Sequence, residues 1–146
     1  MTTDWVSLAA VSTSGVFAGV VIRMTVVEHP ARLACGTEIA LRVWRASHHR
    51  ATAMGVTLVV AAVASGSERW LQSGALPWAL GAAVLISVFP MTVWAILPVE
   101  KQLLDPARDP VSAETRLLLE TWGRRHAWRT ILALASAILY AWAATR

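Results

Sequence analysis

The sequence predicts an all-α protein, a bundle of four membrane-spanning helices, and three observations predict it. The first is composition: 56% of the 146 residues are hydrophobic and the mean hydropathy is +0.54. A soluble domain of this size has too little interior to bury that much apolar surface. The second is the grouping of apolar residues into four runs. Each approaches the length of about 20 residues that a helix needs to cross a bilayer. The third is the placement of arginine, because most of the positive charge falls in two of the segments between runs.

The first run covers roughly residues 5–27. No basic segment precedes it and Asp4 stands there instead, so it reads as a retained span and not a cleaved signal. Ser12, Gly15 and Gly19 form a stripe of small residues along it, expected to face a neighbouring helix. Pro30 follows His29 and favours a helix stop at that point. An additional helical segment is expected in the loop before the second run, which covers roughly residues 51–67. There His48, Thr52, Gly55, Ala62 and Gly66 recur at helical spacing and mark an inward face. The third run covers roughly residues 75–99, and the fourth roughly residues 127–144. On the fourth, Trp122, His126, Arg129, Ala133, Ser136 and Tyr140 follow steps of three and four and share one face. The chain reads as one integral membrane domain without internal repeats.

Arginine asymmetry orients the bundle. Arg32, Arg42, Arg45 and Arg50 lie between the first two runs, and Lys101, Arg108, Arg116, Arg124 and Arg125 between the last two. The opposite side has only Arg69 and Arg146. The positive-inside rule then puts both long loops in the cytoplasm and both termini outside an inner membrane. Tryptophans divide the same way: Trp5, Trp70, Trp78 and Trp142 at one end of the spans, Trp44, Trp122 and Trp128 at the other. Amphipathic rings favour headgroup depth, so two belts are expected.

Several partner classes are disfavoured. The net charge of +4 is interrupted by apolar runs and forms no aromatic-lined basic groove, so nucleic acid is not expected. Cys35 is alone, which excludes an internal disulfide and a CxxC metal site. The bilayer is the expected surrounding, and the sequence leaves assembly into oligomers open.

The chemistry gathers at one face. His29 beside Glu28, Arg45, His48, His49, Glu100, His126 and Arg129 all lie at the arginine-rich ends of the runs. Every run contributes a titratable group there, and a four-helix bundle brings such ends together. Histidine titrates near neutral pH and can act as base, acid or metal ligand. A charge one turn inside a span, as at Arg129, is costly and asks for a partner or a function. No HxxH or HxxxH pair lies within one helix, so no metal site is expected. Haem or copper on these histidines is the alternative within redox chemistry, and a non-catalytic accessory or transport protein the alternative outside it.

Short motifs then accumulate. They are Trp122, His126 and Arg129 as WxxxHxxR, His29-Pro30 after the first run, and Trp44-Arg45-Ala46-Ser47 before the second. PMT at Pro90 to Thr92 and the segment Pro98 to Leu103 complete them. In this order the chain resembles the anthrone oxygenase-like family of small four-span membrane proteins. Two positions depart from the family pattern: Glu100 where asparagine is usual, and His48 where tyrosine is frequent. The resemblance implies a monooxygenase of polyketide biosynthesis that converts an anthrone, a flat hydrophobic aromatic, to an anthraquinone with molecular oxygen and no bound cofactor. For that reaction His126 is assigned as base, with His29 or Glu100 orienting it or relaying the proton, and Arg129 as partner of the enolate, with Arg45 as second choice. Trp44, Trp94 and Trp122 are the expected walls for the substrate, with Thr92 and His49 beside them.

Overall fold

Helix length and the positions of two prolines organise the molecule, of which the computed structural model describes residues 4–146. Helix α1 is Trp5–Ala34, α2 Thr37–Ser73, α3 Leu76–Leu104 and α4 Ala113–Ala144, and each is long and apolar enough to cross a membrane. At the start of α1, Asp4 accepts from Ser7 N at 3.1 Å and Ser7 Oγ at 2.6 Å. Those bonds, with Arg69 at 2.7 Å, hold its carboxyl below the ordinary carboxylate range. Ser112 caps α4 through Thr115 N at 3.2 Å. The links Cys35-Gly36 and Gly74-Ala75 are too short for anything but antiparallel neighbours. Gly36 and Gly74 adopt φ of 96° and 68°, a region that suits glycine. Helix α1 packs on α2 and α4, α3 also packs on α2 and α4, and the remaining pairs lie across diagonals. The result is an up-down-up-down bundle.

Pro30 does not stop α1. The helix runs on to Ala34 through a π-turn at Met24–Glu28, and α3 has a second π-turn at Thr92–Ile96. Each π-turn ends two residues before a proline, Pro30 or Pro98. A proline ring clashes with the carbonyl four residues earlier, and a wider turn moves that carbonyl aside. The helical segment expected before the second span is not separate either; it is the first part of α2. With 37 residues, α2 is about 55 Å long against about 30 Å of hydrocarbon. One end of the bundle therefore projects beyond the apolar layer.

Two cores follow one another along the bundle. Nearer the termini, Phe17, Val21, Val59, Ala62, Trp78, Leu85, Ala133 and Tyr140 pack together. Toward the loops, Leu41, Trp44, Ile96, Leu103, Leu119 and Trp122 form the second. Tyr140 shows how the small residues of α2 and α3 are used. Its hydroxyl donates to Ala62 O at 3.1 Å, and its ring lies where a side chain on Gly66 or Gly81 would stand. Ser136 donates to Gly81 O at 2.9 Å on the same face.

The stripe of Ser12, Gly15 and Gly19 was expected to face inward, but all three are exposed, and nothing approaches a Cβ at either glycine. Bulky Phe17 with Ala10, Ser14 and Ala18 turns the opposite face of α1 to the bundle. Trp78 is likewise in the core, stacked near Tyr140 at 5.5 Å, and not in a belt. The exposed rings are Trp5, Trp70 and Trp142 at one end, and Trp94 and Trp128 at the level of the seam between the cores.

Candidate active site

Each helix carries polar side chains at that seam. Helix α4 has Trp122 and Leu119 in one core and Ala133 in the other, with His126, Arg129 and Thr130 between them. Thr25 from the first π-turn and Thr92 from the second meet this polar segment, and α2 adds Trp44 and His48. A cavity of about 60 Å³ results, lined by Trp44, His48, Glu100, Trp122, His126 and Arg129 among others. It adjoins a groove of about 560 Å³ between α1 and α2, with which it shares Val20, Met24, Arg32, Ser47 and Ala51.

Counting protons sets the state of His126. Thr130 Oγ1 donates its single proton to Val21 O at 3.2 Å. It must then accept from Thr25 Oγ1, 2.8 Å away. Thr25 has spent its proton and can only accept from His126 Nδ1, at 3.1 Å. With the hydroxyls donating in this direction, Nδ1 carries hydrogen and Nε2 keeps its lone pair. That Nε2 has no hydrogen bond to another described residue. An imidazole oriented in this way is a base with its acceptor atom free.

Arg129 is held from the other π-turn. Its Nη2 donates to Thr92 Oγ1 at 2.9 Å, and Thr92 donates onward to Val88 O at 2.7 Å. Its Nε is buried and has no hydrogen-bond partner among the described residues. A buried guanidinium donor without an acceptor is expensive, and an anion or a polar ligand atom would satisfy it.

Glu100 is the second charge in the cavity. Its Oε1 accepts from Trp122 Nε1 at 3.1 Å, and its Oε2 lies 3.9 Å from His48 Nε2. His48 stacks on Trp44 at 4.6 Å, and Trp44 meets the edge of Trp122 at 5.8 Å. Trp122 in turn lies 4.8 Å from His126. These rings give the cavity flat aromatic walls.

Other expected residues lie apart from this group. His29 donates from Nε2 to Leu119 O at 2.9 Å and touches Trp122 at 5.1 Å, on the side away from the cavity lining. It fits against Gly123, where a Cβ would stand 2.5 Å from the His29 ring. Among the described residues the side chain bonded to His126 is that of Thr25, and neither His29 nor Glu100 bonds it. Arg45 is occupied elsewhere, bonding Leu103 O and Asp105 O, each at 2.7 Å, and closing the end of α3. His49 is exposed, and Trp94 is 79% exposed on the outer surface of α3. Neither lines the cavity. The histidines thus have four different environments, and no three His, Cys, Asp or Glu among the described residues form a metal-binding group.

Thr25 and Thr130 escape a reading of the sequence because threonine in an apolar run is ordinary. The available signal was indirect: Pro30 and Pro98 mark the turns that bring Thr25 and Thr92 inward.

No curated protein and no solved structure matches the chain. A family model does, that of Anthrone oxygenase, over residues 41–139. That stretch carries Trp44, His48, Thr92, Glu100, Trp122, His126 and Arg129, the greater part of the cavity just described. The match covers well over half of the 146 residues, and the chain belongs to the anthrone oxygenase family.

Proposed function

We propose that the protein is a membrane-embedded oxygenase that converts an activated aromatic methylene, of the anthrone type, to a ketone with molecular oxygen. Family membership supports the reaction class. The observation that carries it to these residues is the pairing of a free His126 Nε2 with an Arg129 guanidinium whose Nε lacks an acceptor.

The methylene of an anthrone is acidic because its carbanion delocalises onto the ketone oxygen as an enolate. His126 Nε2 takes that proton, and Arg129 stabilises the oxyanion that forms. The carbanion gives its electron pair, one electron at a time, to dioxygen, and a C–O bond replaces one O–O bond order. The peroxide anion takes a proton back from His126. Loss of water from the hydroperoxide, with the second methylene hydrogen, leaves the quinone carbonyl. One substrate and one dioxygen give one quinone and one water, with no bound cofactor required.

The cavity of about 60 Å³ is too small for a tricycle, since pockets for such ligands run to roughly 300–1,000 Å³. The reacting edge therefore lies against His126, and the body of the substrate occupies the α1–α2 groove. Trp44 and Trp122 flank the ring plane, and Glu100 accepts from a phenolic hydroxyl. The asparagine usual in the family would offer that hydroxyl a neutral amide, so Glu100 favours substrates rich in donors.

The test is oxygen uptake with an anthrone, in nanodiscs, above the spontaneous rate. His126→Ala is expected to lower the rate about a hundredfold to ten-thousandfold, the usual scale for a lost general base. Arg129→Lys keeps the charge but loses the planar fork, and is expected to lower the rate while substrate still binds. A wild-type rate equal to the spontaneous one overturns the reaction. A folded His126→Ala as fast as wild type overturns the base.

A further inference from the structure

Arg129 lines a second cavity, on its side away from Glu100. This space of about 70 Å³ lies between α2 and α3 and includes Phe17, Gly55, Val59, Val88, Phe89 and Thr92 in its walls. Thr92 is already bonded to Val88 O and Arg129, and Thr52 is exposed at the rim. Apart from Arg129 and the two threonines the walls are apolar, and a space walled in this way favours a small apolar molecule over a ligand that needs several hydrogen bonds. Val56 and Phe89, 44% and 37% exposed, open it toward the hydrocarbon layer. An aromatic tricycle does not fit, whereas a diatomic molecule does.

We propose that this cavity is the dioxygen site of the protein, filled laterally from the bilayer. The proposal rests on the oxygenase reading for its purpose but not for its test. Dioxygen is apolar and dissolves better in hydrocarbon than in water, so it reaches the site from the side where it is concentrated. As it accepts the electron pair of the carbanion, one C–O bond forms, the O–O bond order falls to one, and the negative charge comes to rest on the outer oxygen. Arg129 borders both cavities, and a cation at that boundary stabilises the enolate before the transfer and the peroxide after it. The two cavities share Phe17, Ala51, Thr52, Gly55 and Arg129, so dioxygen in one lies next to a carbanion at the edge of the other.

The first experiment uses dioxygen itself and needs no turnover. Methyl relaxation is recorded in nanodiscs under oxygen pressure, because paramagnetic dioxygen broadens the methyls it visits. Val59 and Val88 are buried, and so are Leu85 and Leu119. The methyls of Val59 and Val88 are expected to broaden like those of lipid-facing Val60, while Leu85 and Leu119 stay sharp. If Val59 and Val88 behave like Leu85, the site is overturned. The second experiment measures the KM for dioxygen in Val59→Phe, which fills the cavity, and in Val56→Trp, which covers its rim and leaves the core alone. KM for dioxygen is expected to rise about fivefold, equivalent to roughly 1 kcal/mol of affinity, with KM for the anthrone held. An unchanged KM for dioxygen in folded Val56→Trp and Val59→Phe overturns it. Broadening at Val59 and Val88 without any anthrone oxidation would leave the gas site standing and remove the reaction.

Discussion

Replacing Thr25 by valine keeps the shape of the side chain and removes the acceptor of His126 Nδ1–H. The imidazole is then free to rotate or to move its proton to Nε2, where it no longer serves as a base. The expected loss is about tenfold in rate, the equivalent of one neutral hydrogen bond of roughly 1–1.5 kcal/mol. Thr25→Ser restores the hydroxyl and is expected to restore the rate. The reading that separates this from simple loosening is the nitrogen-15 spectrum of His126. Wild type and Thr25→Ser should show protonated Nδ1, and Thr25→Val a mixture. His126 and Arg129 were legible in the sequence because polar groups in an apolar run stand out. Arg45 and Trp94 stand out equally, yet one serves helix α3 and the other the bilayer. Residue type and depth do not tell a side chain aimed inward from one aimed outward: a π-turn sets the direction of Trp94 on α3, and carbonyls at the end of α3 hold Arg45 on α2.

Glycine separates the two faces of the helices. A methyl group on Gly66 would enter the Tyr140 ring, with Tyr140 Cε1 2.7 Å away, and one on Gly81 would stand 2.5 Å from Cε1. Gly66→Ala and Gly81→Ala are expected to cost about 1–3 kcal/mol through overpacking. Gly15→Ala and Gly19→Ala meet open space and replace glycine inside a helix, which is worth up to about 1 kcal/mol in their favour. Unfolding of each variant in the same detergent checks the contrast, and equal effects on both pairs would refute it. Hydropathy revealed the four helices because lipid demands long apolar runs whatever the packing. It could not reveal which face turned inward, because lipid-facing and core-facing residues are both apolar. On α1 the small stripe attracts the eye, whereas the packing surface is Ala10, Ser14, Phe17, Ala18 and Val21.

At the scale of the whole molecule, the projecting end carries the loops and the arginines, and the other end carries the termini. Of the loop arginines, Arg45 and Arg116 reach carbonyls at the ends of α3 and α1. Part of the positive charge thus closes helices as well as setting orientation. The remaining bias still favours the cytoplasm for that end. Reporter fusions at both termini are expected to signal from outside, and a cytoplasmic signal from the C-terminal fusion would contradict this. Trp94 and Trp128, neighbours in sequence of Thr92 and Arg129, are exposed, and such rings favour headgroup depth, which is the depth expected of the site. A flat substrate of the proposed kind, with polar edges, would concentrate at that depth, and dioxygen just beneath it.

The two π-turns have a bearing on ancestry. Each holds one residue more than an α-helical turn requires, which is the trace that a single-codon insertion leaves in a helix. Without it, everything beyond the turn rotates by about 100°, and His29 on α1 or Glu100 on α3 swings away from its partner on α4. A chain lacking Val26, or lacking Val93, keeps an apolar helix of spanning length and loses only the phase between its two halves. Such deletions are expected to insert as the parent does but to lose stability along with turnover, because the rotation takes Val99 and Leu103, or His29, out of the second core. If one deleted chain stays active, the turns are packing accidents. If both are silent, a plain four-helix membrane scaffold lies two codons away from this one.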